Sequence, residues 1–533
     1  MRGPDPPRPN GSSLDLVAGR SRSVAVVGGG FGGVGAAVML RRAGYENVTV
    51  FERGERIGGV WHHNTYPGAA CDVPSHLYEF SFAPNPDWTR RYATQPEIQA
   101  YIEAVAGRYG VRDRIRTNTQ VLSARWDDAR DKWLIKTMRT STGSEPIAGD
   151  HEADVLITAC GQLSVPKRPE IKGLETFEGS AFHTAEWRHD VELSGERVAV
   201  IGSGCSAIQV VPAIQPIVDR VTVYQRSPAW TIPRLDFAYS PRIQRAFARF
   251  PALQRLDRAA TFGFFEFGTL ALTSQPWLRP AFRAVSRHRI TKAISDPDLR
   301  RKVTPVDAVG CKRVMPTDAW YPTLTKPNVE LITDRITEVT GHRIRTQDGD
   351  ERPADVIIFA TGFQTHGFVT PMEITGEGDR TLAQVWAGAP RAYLGLSTPG
   401  FPNLFLLYGP NTGGGAGSVI YMIEAGMRHV ISALDAIGQA DAQRIEIRRQ
   451  AADSFDTELR AALTGTVWHS GCTNWYVDEN GHNPNQWPWT FTTYRRRTAR
   501  IDPAAYDIGA LPATSGRNSD RSSDRSRDGQ PAA

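Results

Sequence analysis

SVAVVGGGFGGVGAAVMLRRAGYENVTVFER, residues 23–53, decides the fold. The β-branched run Val24–Val27 breaks into glycines, continues as an apolar-periodic stretch, and ends in a second β-branched run closed by Glu52. The order reads as strand, turn, helix, strand. Within the turn, Gly28, Gly30 and Gly33 form G-x-G-x-x-G. The first glycine allows the tight turn, the second lets backbone approach a pyrophosphate, and the third lets helix and strand pack closely. The helix N-terminus then aims its free N–H groups at the phosphates. Glu52 falls at the end of the second strand, where a carboxylate can accept both hydroxyls of an adenosine ribose. Glycine spacing alone describes many turns; the flanking strand, helix and acid make this one a dinucleotide-binding unit.

The unit returns at ERVAVIGSGCSAIQVVPAIQPIVDRVTVYQRS, residues 196–227. Gly202, Gly204 and Ala207 repeat the spacing, with alanine still small enough at the third position. Glu52 lies 24 residues after Gly28, and Arg226 lies 24 after Gly202, so one structural slot holds opposite charges in the two copies. A carboxylate repels a ribose 2′-phosphate, whereas Arg226, helped by Ser227, pairs with it. A solvated strand-end arginine is the competing reading. Two nucleotide sites in one chain imply electron transfer between two cofactors: hydride leaves NADPH in the second unit, and FAD is the natural acceptor in the first.

Two buried-strand patterns mark where the chain crosses between the units, DVLITACGQ at 154–162 and DVIIFATGF at 355–363. The expected organisation is α/β, with a FAD-binding domain at 23–163 and 365–511 and an NADPH-binding domain at 164–364 inserted into it. Residues 240–301 combine apolar residues at helical spacing with many arginines and read as a helical insertion shaping access to the flavin. Its charges read as a solvated face, and its apolar residues as packing or the wall of a hydrophobic pocket. Residues 1–22 and 512–533, rich in Pro, Gly, Ser and charge, read as disordered tails without a signal-peptide core.

At 533 residues the chain is too long for a single core, as the two units require. Its net charge of +5 is small and scattered, which leaves no electrostatic footprint for nucleic acid. No apolar run reaches the length of a membrane span; the nearest, residues 262–272, is short and contains Glu266. Cys71, Cys160, Cys205, Cys311 and Cys472 lie far apart and odd in number, which predicts no disulfide framework, no zinc or other metal site, no dithiol centre and a reducing, cytoplasmic setting. Flavoproteins with two such units include disulfide reductases and oxygenases. Without a cysteine pair beside the flavin, oxygenase chemistry is favoured.

Two longer patterns carry a family resemblance. FEGSAFHTAEW at 177–187 sets Phe177, Gly179, His183 and Trp187 in the spacing F-x-G-x-x-x-H-x-x-x-W, and GGVWHHNTYPGAACD at 58–72 contains Gly58, Trp61, Tyr66, Pro67, Gly68 and Asp72. Together they resemble the Baeyer-Villiger monooxygenases, relatives of the flavin-containing monooxygenases. The resemblance runs from about residue 23 to 500 and includes GQLSVP (161–166), YQRSP (224–228), GCKR (310–313), GFPNLFLLYGPNT (400–412) and TNWY (473–476). Two positions depart from the family: Arg188, where ketone-oxidising members usually carry Pro or Asp, and Ala70, where arginine is common.

The resemblance implies two Rossmann-like domains and an NADPH- and O2-dependent enzyme that forms a C4a-peroxyflavin and inserts one oxygen beside a ketone carbonyl, giving an ester or lactone. It implies FAD contacts from Gly59, Val60, Trp61, Asp72, Tyr78, Val121 and Gln162, and NADPH contacts from Ser203, Lys312 and Trp475 in addition to the turn residues. Arg313, oriented by Asp72, is the implied catalytic residue, because a permanently charged guanidinium stabilises an oxyanion. His183 is implied to lie on a segment linking the domains, where it serves cofactor-coupled motion and not bond chemistry; a packed histidine is the alternative. The implied partners are a small hydrophobic carbonyl compound and O2, with no nucleic acid and no integral membrane association. Two other functions remain open: S- or N-oxygenation of the flavin-containing monooxygenase type, which Arg188 favours, and a non-oxygenating flavoprotein, against which Asp72 and Arg313 count.

Overall fold

The computed structural model describes residues 20–140, 143, 145–472 and 474–509. The expected tails therefore lie outside the described residues, except for positions 20–22. There Arg22 is buried, donating to the Ala442 carbonyl and to Gln443 Oε1.

The chain opens with β1 (Val24–Val27), α1 (Phe31–Arg42) and β2 (Val48–Phe51), followed by α2 (Gln95–Arg108) and the short β3 (Ile115–Arg116). An antiparallel ladder of β4 (Thr119–Asp127), β5 (Lys132–Arg139) and β6 (Ile147–Ala153) leads into β7 (Val155–Thr158). The second unit is built from β8 (Ser180–His183), β9 (Arg197–Ile201), α3 (Ala207–Ile214) and β10 (Arg220–Tyr224). Three helices follow, α4 (Pro241–Arg249), α5 (Pro251–Leu272) and α6 (Arg279–Ala293), before β11 (Val329–Ile332) and β12 (Val356–Phe359). The chain then supplies β13 (Glu373–Thr375), β14 (Leu404–Leu406) and the long α7 (Val419–Gln439).

Two five-stranded parallel sheets result, in the orders β14-β7-β1-β2-β3 and β11-β10-β9-β12-β8. Period-2 alternation explains why runs such as VAVV are apolar throughout. Val24 and Val26 face the core shared with α1 and α7, while Ala25 and Val27 face Trp126 and Trp133 of the antiparallel ladder. Likewise Val198 and Val200 pack towards α3, whereas Ala199 and Ile201 meet Val339 and Ile344 on the other side. The late strand β14 returns to pair with β7, so residues 404–406 complete the first sheet after the whole second unit has been made.

The two crossings lie side by side: Lys167 N–H donates to the Gly362 carbonyl, and Gln364 N–H to that of Val165. Strand β8 is the edge of the second sheet, and His183, fully buried, sits edge-on to Phe363 on the return crossing, 5.6 Å between ring centres. Its Nδ1 accepts from Ala185 N–H, and the ring is buried beside both crossings. The insertion is helical, as its spacing predicts; Phe262 and Phe265 of α5 pack on the core, while Leu253, Leu256, Phe264 and Phe267 are exposed.

Candidate active site

In the first turn the glycines are enforced by their neighbours. A Cβ on Gly33 would stand 1.7 Å from the Gly28 carbonyl oxygen, and one on Gly28, at φ +109°, would stand 2.5 Å from that of Ala159. Glu52 is buried, and its two carboxylate oxygens accept from Gly29 N–H at 2.6 Å and Gly54 N–H at 2.7 Å, which leaves lone pairs for further donors. Gly58 N–H donates to Gly29 O, bringing Gly59 over the turn so closely that a Cβ there would lie 3.1 Å from Gly30 Cα. Next to Gly59 and Val60, Trp61 Nε1 donates to Tyr78 Oη at 3.1 Å, and Tyr78 stands edge-on to Phe31 at the start of α1. Gln162, just past β7, is buried with Nε2 unpartnered. A glycine turn free of side chains, a buried carboxylate with spare lone pairs and the unsatisfied buried amide of Gln162 fit a flavin dinucleotide. Val121 is different: its side chain is in the core with Phe51, at an irregularity in the β4–β5 ladder, so only backbone is left to meet a cofactor there.

The second turn is more open. Gly202, at φ +119°, would clash through a Cβ with the Ala360 carbonyl, but no atom lies within 4 Å of where a Cβ on Gly204 would stand. Ala207 is buried at the start of α3, as its packing role requires. Ser203 Oγ donates to the Ser227 carbonyl, and Ser227 Oγ accepts from Lys312 Nζ at 3.0 Å. Lys312 also forms an ion pair with Asp307 at 2.6 Å. Arg226 is exposed and, among the described residues, has no hydrogen bond or ion pair. Two cations and two serines thus meet at the ends of β9 and β10, a donor set suited to a phosphomonoester.

Arg313 stands beside Cys205 of the second turn. Its Nε and Nη2 both donate to Asp72 Oδ2, at 2.9 and 2.6 Å, linking the segment that follows Trp61 to the Gly310–Arg313 turn. The Asp72 carboxylate holds the guanidinium well above its already high ordinary pKa, so it is charged at every working pH. Around it burial pushes the Cys205 thiol up to about 11 and the Tyr408 phenol up to about 12, and Tyr476 is raised for the same reason. Apart from Asp72, these groups beside the cation are therefore neutral.

One cysteine expectation is overturned. Cys311 and Cys472 form a disulfide, with Cα atoms 6.3 Å apart, which ties the turn bearing Lys312 and Arg313 to the loop bearing Trp475 and Tyr476. Five scattered cysteines gave no hint, because the two partners are 161 residues apart and meet only in the folded chain. The free cysteines among the described residues are Cys71, Cys160 and Cys205. Trp475 is 40% exposed with its ring on Tyr476, and so is not core packing. Sequence reasoning also missed Asp307, an ordinary loop acid until Lys312 is placed beside it. It missed Gln209, a helix residue that accepts from Tyr66 Oη and donates to the Ala70 carbonyl across the two units. Arg188 is paired with Asp190 on the surface. A groove of about 660 Å³ on the flank of the second sheet, lined by Arg168, Lys172 and Phe359 among others, shares no residue with the site.

Comparison with known proteins sets this geometry in context. Residues 25–259 match the family described as pyridine nucleotide-disulphide oxidoreductase. The chain is 42% identical over 489 residues to a Baeyer-Villiger monooxygenase of Streptomyces coelicolor, covering 91% of this chain and 92% of that one. It superposes with a TM-score of 0.81 on oxidized steroid monooxygenase bound to NADP, at 31% identity over 92% of this chain and 99% of the other. With OTEMO in complex with FAD and NADP the TM-score is 0.80, at 25% identity and coverage of 92% and 99%. Both cysteines of the disulfide lie outside the matched span 25–259, so that family's description gives no support to disulfide chemistry at Cys311 and Cys472.

Proposed function

The chain belongs to the Baeyer-Villiger monooxygenase family, and from that premise we propose that it converts a small hydrophobic ketone, O2, NADPH and a proton into an ester or lactone, NADP+ and water. FAD, bound at the first turn and reduced by NADPH, supplies the activated oxygen. The observation that carries the reading is the Arg313–Asp72 pair, which has Cys205 of the second turn beside it. A fixed cation, held by Asp72 and otherwise flanked by neutral hydroxyl and thiol groups, is suited to the negative charge that develops on oxygen as the carbonyl is attacked. Asp72 spends one oxygen on both guanidinium contacts, which aims the remaining N–H donors and leaves Arg313 charged.

The other residues divide between the cofactors. Gly28, Gly30 and Gly33 admit the FAD pyrophosphate, Glu52 takes the adenosine ribose with its free lone pairs, and Gln162 Nε2 is the donor available to the cofactor. Gly59, Val60, Trp61 and Tyr78 form the opposite wall, with Val121 contributing backbone. Gly202, Ser203, Gly204 and Ala207 admit NADPH, whose 2′-phosphate pairs with Arg226, Ser227 and Lys312; Trp475, exposed, is free to cover the nicotinamide half. On this reading residues 23–163 and 365–511 form the FAD domain and 164–364 the NADPH domain.

S- or N-oxygenation, the second reading, rests on the residue type at Arg188 alone, against relatives that are named Baeyer-Villiger monooxygenases. The cytoplasm is the compartment proposed, now on NADPH dependence alone, because the Cys311–Cys472 disulfide removes the argument from unpaired thiols. The test is product analysis over a panel of cyclic ketones, sulfides and amines. Lactone formed in step with NADPH consumption is expected, and sulfoxide or N-oxide without any ester or lactone would overturn the assignment.

A further inference from the structure

Helix α5 carries an apolar stripe on its outward face as well as apolar residues on its inner one. Its polar side chains point into the protein: Gln254 Nε2 donates to Glu79 Oε1 and the Asn85 carbonyl, Asp257 pairs with His76, and Arg258 donates to the His76 carbonyl. Further along, Glu266 accepts from the backbone N–H groups of Phe491 and Thr492. Phe262, Phe265 and Leu272 pack on the core, but a second set of apolar side chains points out. At about 100° per residue, Leu253, Leu256, Ala260, Phe264 and Phe267 fall within an arc of about 80°, and the four large ones are 46–67% exposed. The stripe runs for about 21 Å at 1.5 Å per residue. An ordinary surface helix hides this face and shows the other, and a contiguous exposed apolar surface marks an interaction site.

The charge around the stripe identifies its partner. Between residues 241 and 293 the only acidic residues are Asp257 and Glu266, both turned inward and bonded. The exposed charges are all basic: Arg242, Arg245 and Arg249 on α4, Arg255 on α5, and Arg283, Arg287 and Lys292 on α6, none in an ion pair among the described residues. Self-association through the stripe would bring these like charges together. The helix is convex and offers no groove for an extended peptide. An apolar face rimmed by arginine, with the aromatic Phe264 and Phe267 and the nearby Trp277, 70% exposed, matches the interface of a bilayer carrying anionic headgroups.

We infer that the outward face of α5 docks the protein peripherally on an anionic phospholipid surface, with the stripe in the acyl boundary and the flanking arginines on lipid phosphates. No helix among the described residues is long and apolar enough to cross a membrane, so the contact is one of lying on the surface. The inner end of the same helix reaches the candidate site: Leu272 packs so tightly on Gly310, next to Cys311, that a Cβ there would lie 2.0 Å from Leu272 Cδ2. The docked helix therefore stands between lipid and the Arg313 turn.

The experiment is co-sedimentation of the full-length, FAD-loaded protein with vesicles of phosphatidylcholine alone and of phosphatidylcholine with phosphatidylglycerol. Binding to the anionic vesicles should exceed binding to the neutral ones by about tenfold or more and weaken in high salt. Leu256→Glu with Phe264→Glu should abolish it while FAD content and melting temperature stay at wild-type values, since both side chains face solvent. Arg242→Ser with Arg245→Ser and Arg249→Ser, which leaves α5 untouched, should lower binding to the anionic vesicles alone. Absence of binding to anionic vesicles at low salt, or binding that survives the glutamate variants, would overturn the inference. So would a solution dimer that those variants convert to monomer, which would assign the stripe to a second copy of the chain.

Discussion

Arg313→Ala tests the site where the structure makes its most definite claim. The guanidinium contributes two donors to Asp72 Oδ2 and keeps others free, in a setting where every facing group except Asp72 is neutral. Losing a preorganised donor at a developing oxyanion costs about 100- to 1,000-fold in kcat, and that loss should appear in ester formation. Asp72→Ala should be milder. It removes charge-assisted contacts between side chains that are 31% and 25% exposed, so solvent screening limits the effect to about 1.4–2 kcal/mol, or about ten- to thirtyfold. Because Asp72 acts through Arg313, the double variant should be no slower than Arg313→Ala alone. Arg313→Lys should not recover the loss, since one ammonium cannot reproduce a fork that uses Nε and Nη2 together. The assay follows NADPH, O2 and ester in parallel, with FAD content as the control for folding; oxygen consumed without ester should appear as hydrogen peroxide. An Arg313→Ala enzyme with near-normal ester yield per NADPH, or an Asp72→Ala enzyme slower than Arg313→Ala, would refute the reasoning.

Arg226→Ala should raise KM for NADPH about ten- to hundredfold, the cost of one or two charge-assisted phosphate contacts, while barely changing NADH; equal losses for both would mean that Arg226 does not read the 2′-phosphate. His429, on α7, has its pKa lowered by burial to about 4, with Nε2 bonded to Tyr506 Oη. The unfolded chain takes up a proton there near the ordinary value of 6.5 while the folded chain does not, so stability should fall as pH drops from about 6.5 to 4, by about 3 kcal/mol in all. His429→Gln should flatten the melting curve against pH in that window, and an unchanged slope would exclude His429 as its source. Thiol titration of denatured, unreduced protein should find Cys71, Cys160 and Cys205 reactive and a Cys311–Cys472 peptide pair by mass spectrometry; five reactive thiols would contradict the link.

The two nucleotide units were legible because local chemistry enforces them. Buried parallel strands are apolar on both faces, so VAVV and VTVF stand out, and Gly33 cannot be replaced when its missing Cβ would meet a carbonyl at 1.7 Å. The charge swap between Glu52 and Arg226 was visible for the same reason, since each ends the strand after its own turn. The antiparallel ladder of β4 to β6 was not. Its outer face carries Arg125, Lys136 and Glu152, and a register shift between Val121 and Ser123 breaks the alternation that would have announced it. Within the site, Arg313 and Asp72 came from their motifs, but Asp307, Gln209 and the Cys311–Cys472 link are contacts between distant segments with no local signature. Helix α5 was legible only in part for a related reason: periodicity gives the apolar faces of a helix but not which way each points, and here buried polar partners from residues 76–85 and 491–492 leave one of them outward.

The central claim, that this chain inserts one atom of molecular oxygen beside a carbonyl, is tested most directly with 18O2. The FAD-loaded enzyme, NADPH and a cyclic ketone are incubated under the labelled gas, and the product is read by mass spectrometry while NADPH is followed by absorbance. The account predicts a lactone carrying one 18O in its ring and one NADPH oxidised per lactone formed. Unlabelled lactone, or NADPH oxidation that yields only labelled hydrogen peroxide with every ketone tried, would contradict it.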